Sequence, residues 1–125
     1  MRAEELLDAL LEMNPAIRYA AIHPGSGEPV FRERRSGRAP TSPDGDRWEE
    51  LVVNPTLIEL TSRSGNVEAG GLEYVVIRYG LFFQLVIPLD RGHISLCFEP
   101  TTDPIPSVPA VRNLAEQHGA RPRGR

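Results

Sequence analysis

The chain has 125 residues, of which 40% are hydrophobic and 25% charged, which excludes a disordered polymer and predicts one domain with one core. A formal charge of -3 gives no general attraction to nucleic acid, and no apolar run approaches the ~20 residues of a membrane span. A cytoplasmic protein is therefore expected, and a single cysteine, Cys97, excludes an internal disulfide framework.

Residues 3–14 read as a helix, with Leu6, Leu7, Leu10 and Leu11 on one face and Glu4, Glu5, Asp8 and Glu12 on the rest. Asn14-Pro15 ends it, because a residue before proline is pushed out of helical conformation. Residues 17–23 and 29–34 read as strands joined through Pro24-Gly25-Ser26-Gly27, a hairpin. Residues 36–46 carry no large apolar side chain and are expected to form a mobile loop. Asn54-Pro55 has the chemistry of a helix start, followed by Leu57, Ile58, Leu60 and Thr61, with Gly65-Asn66 as the stop. A single helix over 48–64, kinked at Pro55, fits the same residues.

After Gly70-Gly71, three apolar runs at 72–79, 81–88 and 93–98 are separated by breaks so short that only hairpin returns fit. This meander is apolar on both faces and needs cover on both. Four prolines, at Pro100, Pro104, Pro106 and Pro109, predict a stiff extended segment over 99–109. Residues 110–118 form a short helix with Val111, Leu114 and Ala115 inward, stopped by Gly119. The domain is expected to occupy residues 1–119, with 120–125 a basic, disordered tail. The element order is αββαβββα, an α+β fold.

If the strand over 72–79 lies at a sheet edge, its Val75-Val76-Ile77 centre offers unpaired backbone groups to another chain, and a homodimer is the expected use. Catalytic chemistry is sparse. His93 and Cys97 share a strand face but lie about 13 Å apart along it, and His23, His93 and Cys97 lack the tight spacing of a metal motif. The short glycine turns continue into no nucleotide-binding loop. No catalytic, metal or cofactor residue is assigned. The sharpest alternative is an arginine that reaches a partner's developing charge, with Arg34, Arg35 and Arg38 as partner-binding candidates. Solvated loop arginines are the simpler reading.

The leading leucine helix, the hairpin across Pro24 to Gly27, the central helix around Leu57 to Leu60 and the meander GGLEYVVIRYGLFFQLVIPLDRGHISLCFE resemble the roadblock/dynein light chain superfamily, including its bacterial regulators of small Ras-like GTPases. The resemblance covers residues 3–118. It implies a sheet of spatial order 2-1-5-4-3, the central helix on one face and the terminal helices on the other. It also implies a homodimer through the third strand and central helix, here Leu72, Tyr74, Val75, Val76, Ile77, Arg78, Leu57 and Thr61, and a non-catalytic role on a small Ras-like GTPase. Pro55 and the long 36–46 loop depart from the family pattern. A profilin-like or PAS-like ligand sensor is the alternative, distinguished by an apolar pocket between sheet and helix.

Overall fold

The computed structural model describes residues 1–34, 53–65 and 69–123, with the side chains of 62–65 left aside. The elements are α1 (Ala3–Met13), β1 (Ile17–His23), β2 (Val30–Glu33), α2 (Asn54–Gly65), β3 (Val75–Arg78), β4 (Phe83–Pro88), β5 (His93–Phe98), a 3-10 turn (Ile105–Ser107) and α3 (Val108–Gln117). The expected 36–46 loop, the helix start at Trp48, Arg35 and Arg38 lie outside the described residues.

The strands form one antiparallel sheet in the order β2-β1-β5-β4-β3. Strand alternation divides its side chains between two cores. On one face Ala20, Ile22, Leu85, Ile87, Ile94, Leu96 and Phe98 meet Leu6, Leu7 and Leu10 of α1 and Val108, Val111 and Ala115 of α3. On the other, Tyr19, Ala21, Phe82 and Cys97 form a smaller cluster. That second face is α2's, since Asn54 is fully buried and its Oδ1 lies 3.5 Å from the Gln84 amide nitrogen. The Gln84 Nε2 also donates to Ser95 Oγ at 3.0 Å, which ties β4 to β5 on this face. The expected α+β architecture with helices on both faces is the one found.

Three stretches differ from expectation. The strand predicted over 72–79 pairs only at Val75–Arg78, and the next begins at Phe83 instead of 81. Leu81 is 76% exposed at the turn and has nothing to pack against in a ladder. The proline-rich 99–109 segment is not extended: the Ile105 N–H donates to Asp103 Oδ1 at 3.0 Å, Pro104 leads into the 3-10 turn, and α3 starts at Val108 with Pro109 in its first turn. Proline suits a first helical turn, where its missing N–H is not needed.

The third difference is the C-terminal segment. Helix α3 ends in a Schellman arrangement: Gly119 (φ 83°) donates to the Glu116 carbonyl at 3.1 Å and Ala120 to the Ala115 carbonyl at 2.9 Å. The chain then turns onto the sheet instead of leaving it. Ala120 and Pro122 are buried. Asp90 N–H donates to the Arg121 carbonyl at 2.8 Å, and Arg123 N–H to the Pro88 carbonyl at 2.9 Å. Residues 120–123 thus form a strap across the β4–β5 turn, where a free basic tail was expected. The attachment is made by backbone hydrogen bonds together with the Arg123 Nε, which donates to the Leu89 carbonyl at 2.7 Å, so the arginines that suggested a solvated tail help to hold it down.

Beneath the strap the β1–β2 and β4–β5 turns press together. A side chain at Gly92 (φ 73°) would place its Cβ 1.8 Å from the His23 carbonyl oxygen, and one at Gly25 (φ 96°) would meet the Arg91 Cβ at 2.7 Å. Only glycine fits either contact.

Candidate functional site

Strand β3 pairs with β4 and with no other described strand, so it forms one border of the sheet. Tyr79 N–H donates to the Phe82 carbonyl at 2.9 Å, and the register continues through Ile77↔Gln84 and Val75↔Val86. Counting back by twos, Ile77 and Val75 turn their backbone groups toward β4, while Val76 and Arg78 turn theirs outward. The unpaired ladder of this border therefore belongs to Val76 and Arg78.

The side chains follow the same parity. Val76 and Tyr74 pack against the main core, and the Arg78 guanidinium lies 4.8 Å above the Phe83 ring, a cation–π contact. Val75 and Ile77 are half-buried on the α2 face, and Leu72 is half-buried ahead of the strand. The β3 border is thus apolar on both sides of an unfilled hydrogen-bonding row, the surface that a further strand completes.

On α2, Ile58 points inward at 6% exposure, whereas Leu57 is half-buried and Thr61 exposed. Thr61 Oγ1 donates to the Leu57 carbonyl at 2.6 Å, which binds the hydroxyl to its own helix. Between them in the same stripe lies Leu60, 59% exposed. At the β3–β4 turn, Tyr79 and Leu81 are 37% and 76% exposed. Leu60, Tyr79 and Leu81 were missed by sequence reasoning. The i, i+3, i+4 spacing of Leu57, Leu60 and Thr61 was the available signal for the first.

Arg34 is not a solvated loop arginine. Its Nε donates to the Ile17 carbonyl at 2.9 Å, and an Nη donates to the carbonyls of Leu11 at 2.6 Å and Asn14 at 3.2 Å. It satisfies carbonyls at the end of α1 that the helix itself leaves open, a structural task. The structure brings Leu72, Tyr74, Val75, Val76, Ile77 and Arg78 to one border and leaves Arg34 near the opposite one.

His23 and His93 do come together, as cross-strand partners whose rings stack at 5.5 Å. Among the described residues, no group of three or more His, Cys, Asp or Glu could hold a metal ion. Nor is any described helix long and apolar enough to cross a membrane.

No family model and no curated protein matches the sequence. Solved structures do match the fold. A structure of the gliding protein MglB from Thermus thermophilus aligns with a TM-score of 0.56 at 18% identity, over 93% of this chain and 90% of that one. Another, described as MglB with a tetrameric arrangement, aligns with a TM-score of 0.57 at 18% identity, over 94% and 90%. Nearly the whole chain therefore shares the fold of these MglB structures, here a 2-1-5-4-3 sheet between one central and two terminal helices.

Proposed function

We propose that this chain is a non-catalytic homodimeric regulator that docks a small cytoplasmic Ras-like GTPase and biases its switch loops. The observation that carries the reading is the open apolar border of β3, in a fold like that of MglB over 93% of the chain. Two copies joined through Val76 and Arg78 continue the sheet and set their α2 helices on the same side, with Leu57, Leu60 and Thr61 available to the joint surface. Such a platform acts on a GTPase by holding one arrangement of its switch segments, which requires no reacting group of its own.

The alternative of a small-ligand sensor has less support. The cavity between sheet and α2 is about 210 Å³, and four of the residues that line it, His23, His93, Glu59 and Arg123, are polar or charged. Apolar sites for drug-sized ligands measure roughly 300–1,000 Å³.

The test is GTP turnover by each Ras-like GTPase encoded with this protein, measured alone and with a stoichiometric amount of it, alongside complex formation by size-exclusion light scattering. A complex with an altered turnover rate is expected for one of them. If every GTPase neither binds nor changes rate, the regulator reading fails.

A further inference from the structure

We propose that the cavity between α2 and the β1–β2 and β4–β5 turns is an oxyanion site that takes phosphate, free or as the end of a small phosphomonoester. Its lining includes His23, Gly25, Glu59, Gly92, His93 and Arg123. This site is separate from the β3 border and does not depend on the GTPase reading.

Three basic side chains from different parts of the chain line it. His93 is 1% exposed, and its ring stacks on that of His23 with 20° between planes, which holds both imidazoles in place. Gly25 N–H donates to His23 Nδ1 at 3.0 Å, so the proton of the neutral His23 ring sits on Nε2 and that atom is a donor. Arg123 is fixed by the strap: its N–H donates to the Pro88 carbonyl at 2.9 Å, its carbonyl accepts from Arg112 at 2.8 Å, and its Nε donates to the Leu89 carbonyl at 2.7 Å. Its two terminal nitrogens carry no hydrogen bond or carboxylate partner among the described residues. A held guanidinium with unused donors beside two imidazoles suits a compact oxyanion.

Size and sign narrow the ligand. About 210 Å³ equals roughly seven waters at ~30 Å³ each, room for one phosphoryl group and part of its hydration. Among the described residues the lining contains one carboxylate, Glu59, which repels a fully ionised anion but accepts a hydrogen bond from a P–OH. Phosphate near neutral pH still carries such a proton and sulfate does not. Glu59 therefore selects phosphate over sulfate.

The experiment is an NMR titration of the full chain with inorganic phosphate, read on the three histidines. Saturable shifts at His23 and His93 are expected, with His118 unmoved, because its Nδ1 lies 2.8 Å from the Leu114 carbonyl on α3, outside the cavity lining. Sulfate at equal ionic strength should shift neither ring. Arg123→Gln should weaken phosphate at least about tenfold, the loss of charged hydrogen bonds. Arg121→Gln, at a side chain 82% exposed and outside the cavity lining, should not. Because Arg123→Gln also loosens the strap, Glu59→Gln provides a second variant: it should let sulfate bind with the fold intact. Tighter binding of glycerol phosphate than of inorganic phosphate assigns the site to monoesters, and the reverse order to the free ion. Unsaturable shifts, equal shifts at all three histidines, equal response to sulfate in the parent chain, or full affinity in Arg123→Gln would overturn the proposal.

Discussion

Arg34 shows how a charge in the sequence can serve a purpose that its own neighbourhood does not advertise. Its partners are main-chain carbonyls of Leu11, Asn14 and Ile17, which carry no side-chain signature. A composition argument therefore sees an arginine-rich stretch, and the fold sees the end of α1 being closed. Arg34→Ala should lower stability by about 1–3 kcal/mol, measured by urea unfolding, because it strands carbonyls that a charged donor had satisfied. Partner affinity should not change. Gly92→Ala is the harsher single change: a positive φ and a Cβ 1.8 Å from the His23 oxygen predict a loss of about 2 kcal/mol or more by the same measurement.

Among the elements, β1 and β5 match their predicted bounds, 17–23 and 93–98, because both lie inside the sheet and are buried along most of their length. The borders of the meander were less legible, since Leu81 has the character of a strand residue while the turn leaves it in solvent. The prolines of 99–109 were read by composition alone. Their place at the start of a helix depends on Asp103 and on the docking of Val108 and Val111, which no local pattern supplies. The spread of apolar side chains over both faces made the helices on both sides legible. For the candidate interface, sequence identified the strand and its hydrophobic residues, but only the register separates Val76 and Arg78 from Ile77.

That parity makes a sharp test of the proposed dimer. Val76→Pro removes an outward N–H and leaves the β3–β4 ladder untouched, as proline on an edge strand can. It should yield monomers that keep a folded circular dichroism spectrum. Ile77→Pro, one residue away, removes an inward N–H opposite Gln84 and should destabilise the hairpin itself. If Val76→Pro retains the parent's mass in solution, strand pairing at β3 is wrong. Leu60→Arg, at a position 59% exposed, should weaken the dimer by sedimentation without lowering the unfolding midpoint.

At the scale of the molecule, the strap links parts that the sheet alone leaves separate. It follows α3, crosses the β4–β5 turn, and places Arg123 against the cavity beneath α2. Deleting residues 120–125 removes the buried Ala120 and Pro122 and several backbone hydrogen bonds, set against the ordering cost of those residues. A net loss on the order of 1–2 kcal/mol is expected, a fall of roughly 5 °C in Tm by scanning calorimetry. An unchanged Tm would mean that the segment contributes nothing to the fold.

The touching turns at Gly25 and Gly92 also bear on ancestry. At Gly92 a substitution cannot be rescued by trimming a neighbouring side chain, because the obstacle there is the main chain of His23 and Gly25. Natural variants that keep this hairpin contact should therefore retain glycine at 92 long after the leucines of the core have exchanged among themselves, and genome sequences can check that without any protein being made.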